Sequence, residues 1–126
     1  MSFDPNLVLF YVINIENSKN FYSELLNAQP IHNEPDYVMF SLKSGLRLGL
    51  WSQTYVEPQP IAFGGGSELA IQLENDQTLD ELFERFQNKN FTIIQTPTHM
   101  DFGYTFVTCD YREPKLEFLE NSRQFT

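Results

Sequence analysis

Residues 7–13 read LVLFYVI and residues 16–26 read ENSKNFYSELL. The first run is apolar and strand-length. In the second, Phe21, Tyr22, Leu25 and Leu26 fall on one face at helical spacing. Asn17 is the expected N-cap of this helix, and Pro30 closes the segment. Three short strands are expected next, at Pro30–Asn33, Tyr37–Leu42 and Leu46–Trp51, with Ser44-Gly45 as the turn between the last two. The order is β-α-β-β-β.

The same order is then written again. Glu68–Leu73 (ELAIQL) reads as a strand and Thr78–Gln87 (TLDELFERFQ) as an amphipathic helix, with Thr78 and Glu81 spaced as a capping box. Phe91–Gln95, Gly103–Cys109 and Lys115–Leu119 are three further expected strands. A shift of 61 residues lays Val12 on Leu73, Phe21 on Leu82, Tyr22 on Phe83 and Leu25 on Phe86. Repetition of one supersecondary unit is the strongest organising signal in the chain. The expectation is an α+β fold, a single domain over 1–126 made of tandem βαβββ modules, about 6–52 and about 68–120. The stretch at about 53–67, with Pro58, Pro60 and Gly64-Gly65-Gly66, reads as the linker. No Lys-Ser/Thr follows the glycines, so they do not form a phosphate loop.

Composition narrows the function. The 126 residues carry 8 Lys+Arg against 17 Asp+Glu, a net charge of −9. The deficit of cations is present in both halves, which argues against nucleic acid and against an anionic membrane surface. The longest apolar run, Leu7–Ile13, is far short of a membrane span, and the Met1–Pro5 start has no export signal. One cysteine, Cys109, makes no intramolecular disulfide and no metal motif, and a cytoplasmic location is expected. Twelve Phe, six Tyr and one Trp bring the aromatic share to 15%, which serves either a small core built of large side chains or a pocket for a flat ligand.

Period-2 alternation assigns a face to each residue. Val8/Phe10/Val12, Val38/Phe40/Leu42, Leu46/Leu48/Leu50, Leu69/Ile71/Leu73, Tyr104/Phe106 and Leu116/Phe118 form an apolar set that seats the helices. The opposite parity is mixed: Tyr37/Met39/Ser41, Arg47/Gly49/Trp51, Glu68/Ala70/Gln72, Thr105/Val107 and Lys115/Glu117. With helices on one side, curved mixed sheets leave the second side as a concave ligand cup. Within it, Arg47-x-Gly49-x-Trp51 places a guanidinium and an indole on one side of the strand with a gap between them. One reading stacks a planar ring on Trp51 while Arg47 meets an anionic or carbonyl group. The other leaves Arg47 solvated and packs Trp51 against a loop.

The repeat, the strand order and the segment Ser18-x-x-Phe21-Tyr22-x-x-Leu25 resemble the vicinal-oxygen-chelate superfamily of glyoxalases, bleomycin-resistance proteins and extradiol dioxygenases. Asn6-Leu7, Tyr11-Val12, Tyr37-Val38, Trp51-Ser52, Phe102-Gly103 and Thr105-Phe106 are most similar to phenazine-antibiotic-resistance proteins. The resemblance implies a cytoplasmic homodimer that holds a small planar aromatic compound, an antibiotic or redox pigment, in its cup. Catalytic members of that superfamily hold a divalent metal with His, Gln or Glu on the first and last strands of a module. By that resemblance the positions here are Leu7, Glu68 and Glu117, which lack an imidazole; His32 falls on a second strand and His99 in a loop. Where many members have Asp-Pro-Asp-Gly at the last hairpin, this chain has Asp110-Tyr111-Arg112-Glu113-Pro114. The reading adopted is binding and sequestration without a metal, cofactor or catalytic residue. Trp51, Tyr37, Met39 and Arg47 form the site, and Thr105 and Glu117 act as polar guides. Its rivals are a metal-dependent lyase, isomerase or dioxygenase using Glu68 and Glu117, and a structural dimer with a vestigial cup.

Overall fold

Asn14, three residues before the expected cap, starts the first helix. Its side chain accepts a hydrogen bond from the Asn17 amide at 3.0 Å, so the N-cap lies one short turn earlier than the apolar spacing implied. The second helix repeats this solution. Asn75 caps it by accepting from the Thr78 amide at 2.8 Å and the Thr78 hydroxyl at 3.0 Å, in place of the Thr78–Glu81 capping box. Asn27 ends the first helix in a left-handed conformation (φ 51°), upstream of Pro30.

The computed structural model describes residues 3–62, 66–112 and 117–126, without the side chains of 111, 112 and 117–120. The elements are β1 (Leu7–Val12), α1 (Ile15–Leu26), β2 (His32–Asn33), β3 (Tyr37–Ser41), β4 (Arg47–Ser52), β5 (Glu68–Gln72), α2 (Asp76–Asn88), β6 (Thr92–Met100), β7 (Gly103–Arg112) and β8 (Glu117–Phe125). The chain divides into two compact units, Met1–Gly64 and Gly65–Thr126. Each holds one four-stranded mixed sheet, ordered β1-β4-β3-β2 in the first and β5-β8-β7-β6 in the second. In both, the first strand pairs parallel to the last, and the other pairings are antiparallel. The tandem βαβββ repeat and the α+β class therefore stand. Among the described residues no helix is long and apolar enough to cross a membrane.

The apolar parity faces the helices as expected. In the first unit Tyr22 of α1 meets Phe10 at 6.1 Å between ring centroids, and Val38, Phe40, Leu48 and Leu50 are at most 1% exposed. In the second, Phe83 and Phe86 of α2 meet Phe106 at 5.3 and 5.8 Å. Burying a Leu or Phe of this kind stabilises the fold by roughly 1.5–3 kcal/mol. Between β3 and β4, Gly45 at φ +98° supplies the turn, its amide donating to the Leu42 carbonyl.

Three strand expectations need correction. The second strand, expected at Pro30–Asn33, contracts to His32–Asn33. The strand expected at Phe91–Gln95 continues to Met100 as β6, an edge strand with register shifts on both sides of Gln95. Edge position and bulging are what let Pro97 stay in a ladder. His99 therefore lies in a strand and not a loop, stacked on its cross-strand partner Tyr104 at 4.4 Å. The last strand, expected at Lys115–Leu119, runs Glu117–Phe125; Lys115 and Leu116, with the Glu113-Pro114 part of the hairpin, lie outside the described residues. The linker is also less loose than expected: Val56 is 1% exposed, and the Gln59 side-chain amide donates to the Gln53 and Val56 carbonyls. Gly64 and Gly65 lie outside the described residues.

The two caps make a testable pair. Asn75→Ala should lower unfolding free energy by about 0.5–2 kcal/mol. Glu81→Ala, at an exposed position with no capping role, should stay within about 0.5 kcal/mol of wild type in denaturant melts.

Candidate functional site

Four of the six expected site residues share one face of the first sheet. The register pairs Tyr11 with Trp51 and Trp51 with Tyr37; the next row is Leu9, Gly49 and Met39, with His32 beyond it; the last is Leu7, Arg47 and Ser41. Registered neighbours point to the same side of a sheet. Trp51, Tyr37, Met39 and Arg47 are thus one surface.

That surface is aromatic and partly open. Trp51, Tyr37, Tyr11 and Met39 are half-buried, whereas Leu7 and Leu9 are each 39% exposed. Ring centroids run from His32 to Tyr37 at 5.9 Å, Tyr37 to Trp51 at 6.5 Å, and Trp51 to Tyr11 at 6.3 Å. The Tyr37 and Tyr11 rings stand at 84° and 75° to the indole, so neither lies flat on it. Arg47 is exposed, and among the described residues its guanidinium makes no hydrogen bond or ion pair.

The gap expected at Gly49 is filled by the chain itself. A Cβ there would stand 2.6 Å from the Tyr37 hydroxyl and 2.7 Å from Leu9 Cδ2. The missing side chain thus leaves room for both the Tyr37 hydroxyl and Leu9 over the strand at this point. The face is a closed aromatic-aliphatic floor with a cation at one end, not a slot between guanidinium and indole. Sequence alternation missed Leu7, Leu9 and Tyr11 because β1 is apolar on both parities, and only the helix-facing set was recognised.

The two polar guides are placed differently. Thr105 sits on β7 in the second unit with no exposed surface. Its hydroxyl donates to the Gln124 carbonyl at 2.7 Å and accepts from Arg123 at 3.3 Å, so it has nothing to offer a ligand as the chain stands. Glu117 opens β8 opposite Arg112, and its side chain lies outside the described residues.

The second sheet instead gathers its polar groups around Arg123, a residue beyond the expected end of the last strand. Arg123 Nε and Nη2 donate to Glu68 Oε1 and Oε2 at 2.8 and 2.9 Å, and Nη1 donates to Gln95 Oε1 and Thr105 Oγ1 at 3.3 Å each. Phe102 covers the guanidinium at 5.6 Å. Hydrogen bonds from Arg123, helped by its charge, hold the Glu68 carboxyl below the usual carboxylate range against the opposing effect of burial.

These residues do not fit a divalent metal. Both Glu68 oxygens are taken by Arg123, and the residue registered beside Glu68 on the last strand is Asn121, not Glu117. In the first unit the corresponding pair is Leu7 and Arg47. Among the described residues no group of three His, Cys, Asp or Glu side chains could hold a metal ion. Cys109 is no nucleophile: it is 1% exposed, and burial, reinforced by Asp110, pushes its thiol up to about 12.

Two helix-backed βαβββ sheets, each with its first strand parallel to its last, define an α+β protein of the vicinal-oxygen-chelate architecture. The chain belongs to the Glyoxalase/Bleomycin resistance protein/Dioxygenase superfamily, whose family model matches residues 5–116. It is similar to the phenazine antibiotic resistance protein EhpR of Enterobacter agglomerans, 31% identical over 110 residues that cover 84% of this chain and 83% of that one. Among solved structures it is similar to protein ATC0852 from Agrobacterium tumefaciens, at 35% identity and a TM-score of 0.82 over 99% of this chain and 98% of the other. A glyoxalase-related enzyme from Fulvimarina pelagi has the same fold, with a TM-score of 0.79 at 14% identity over 97% of this chain and 86% of that one.

The Cys109 environment predicts a hidden thiol. In native buffer at pH 8 a thiol-specific chromogenic reagent should label it at least about 100-fold more slowly than in denaturant. Comparable rates in the two conditions would contradict the burial.

Proposed function

We propose that the chain binds a planar aromatic small molecule on the aromatic face of its first sheet, without a metal or other cofactor, and acts by sequestration. The observation that carries this reading is the half-exposed row Tyr11, Trp51 and Tyr37, with Met39 beside it and, at its end, Arg47, whose guanidinium has no partner among the described residues. An aromatic floor takes a flat ring by offset or edge contacts. A free guanidinium takes a carboxylate or carbonyl substituent. Similarity to the phenazine antibiotic resistance protein supports a tricyclic aromatic antibiotic as the ligand class. Sequestration needs stoichiometric protein and no turnover, which suits a face with no paired acid and base.

Phenazine and phenazine carboxylate are the direct probes, because Trp51 is the only tryptophan and reports its own surroundings by fluorescence. Both should quench the indole saturably, with the carboxylate the tighter ligand. Trp51→Ala should weaken binding, read by calorimetry, about 10-fold or more. Being half-buried, it should cost less stability than the roughly 3–5 kcal/mol of a deleted core aromatic. Arg47→Ala should abolish the preference for the carboxylate and spare phenazine itself. Equal affinity of wild type and Trp51→Ala would overturn the reading.

We further propose that the protein works as a homodimer. The edge strands β1 and β6 present Leu7 and Leu9 (39% exposed each), Ile94 (44%) and Met100 (43%), and unpaired apolar edges invite a partner strand or cover. Sedimentation at micromolar concentration should give twice the 14.7 kDa chain mass; a monomer would refute the dimer.

A further inference from the structure

Four oxygen atoms from three strands converge on one guanidinium. Glu68 Oε1 and Oε2 come from β5, Gln95 Oε1 from β6 and Thr105 Oγ1 from β7, and all accept from Arg123 of β8. We infer that Arg123 is a resident cation: it fills an all-oxygen cation site in the second sheet and does there what a bound divalent ion would otherwise do.

A carboxylate, an amide carbonyl and a hydroxyl are hard oxygen donors, the kind that bind Mn2+, Mg2+ or Ca2+. With the guanidinium in place each donor is occupied, and the positive charge is already supplied. A groove of about 500 Å³ lined by Gly66, Ser67, Glu68, Ala70 and Asn121 opens beside the carboxylate, and the Glu68 side chain is 35% exposed. A covalently attached cation cannot dissociate or be chelated, so this sheet keeps its cross-link whatever the metal supply. Covering by Phe102 and accepting from the guanidinium at two different edges fix its plane, which an exposed surface pair would not do. The inference concerns the second unit alone and stands apart from the ligand reading.

Removing the resident cation should open the site to an external one. Thermal melts of wild type, Arg123→Ala and Glu68→Gln/Arg123→Ala would be run in 10 mM MnCl2 and in NaCl of matched ionic strength. Wild type should melt within about 1 °C of itself in the two buffers. Arg123→Ala should melt lower in NaCl and gain roughly 4–7 °C from Mn2+, the response to a site filled tenfold above its dissociation constant. The double variant should lose that gain. Arg123→Gln, neutral and less truncated, carries the same measurement where Arg123→Ala does not fold. A wild type stabilised by Mn2+ as much as the variant would overturn the inference. So would folded Arg123→Ala or Arg123→Gln that responds to Mn2+ no more than to NaCl, or a Mn2+ gain that survives in the double variant.

Discussion

The parallel pairing of first and last strand in each module is the constraint from which the rest follows. Two parallel neighbours cannot be joined by a tight turn; here the chain leaves the sheet, forms a helix on one face, and returns through two further strands. That path commits one face to the helix and frees the other. It also sets positions far apart in sequence side by side at the centre of the free face: Leu9 beside Gly49 in the first module, and Ala70 beside Arg123 in the second. The 61-residue repeat lays Leu9 on Ala70, which makes Gly49 and Arg123 the corresponding last-strand residues. One frame has the smallest side chain at its centre and the other has one of the longest. With no side chain at Gly49, Tyr37 and Leu9 close over the strand and build an apolar floor. With a guanidinium at Arg123, oxygens from three strands turn inward.

The same contrast separates the two arginines. Arg123 has its charge matched by Glu68 and its donors spread over Glu68, Gln95 and Thr105, so it is a structural tie. Arg47 stands in an acidic chain of net charge −9 with no partner among the described residues. At physiological salt the field of the distant acidic groups is screened beyond the Debye length of about 8 Å. Inside that distance the nearest group decides. A free guanidinium at the edge of an aromatic floor can therefore select an anionic substituent on a ring even though the protein as a whole repels polyanions.

Helix-facing alternation was plain in the sequence because it obeys simple periods. Phe10, Phe40, Leu50 and Phe106 went to the expected face, and the face shared by Trp51, Tyr37, Met39 and Arg47 came with it. The failures have physical causes. Asn14 and Asn75 cap through their own side chains, one turn ahead of where the apolar stripe becomes visible. Strand β6 runs through Pro97, which ordinarily reads as a break. Strand β8 was cut short because its helix-facing residues over 121–125 are Ser122 and Gln124, both fully buried and both polar. No hydrophobicity pattern marks such a strand, and with its second half unseen, Arg123 and its whole network were invisible.

That polar strand explains where the ion pair sits. On the helix side, Gln124 Nε2 donates to Ser122 Oγ at 2.8 Å, but among the described residues Gln124 Oε1 and Thr108 Oγ1 are buried without a hydrogen-bond partner. Each such group costs about 1–3 kcal/mol, so β8 gains little from burial over this stretch compared with Leu48 and Leu50 of β4, its counterpart in the first sheet. What remains to hold it is the backbone ladder to β5 and β7 and the ties made by Arg123 on the opposite face. An isolated exposed ion pair contributes about 0–1 kcal/mol. A bidentate pair extended by Gln95 and Thr105, with Phe102 over it, joins all four strands of its sheet. It ties β8 over the stretch where the residues facing the helix, Ser122 and Gln124, are polar.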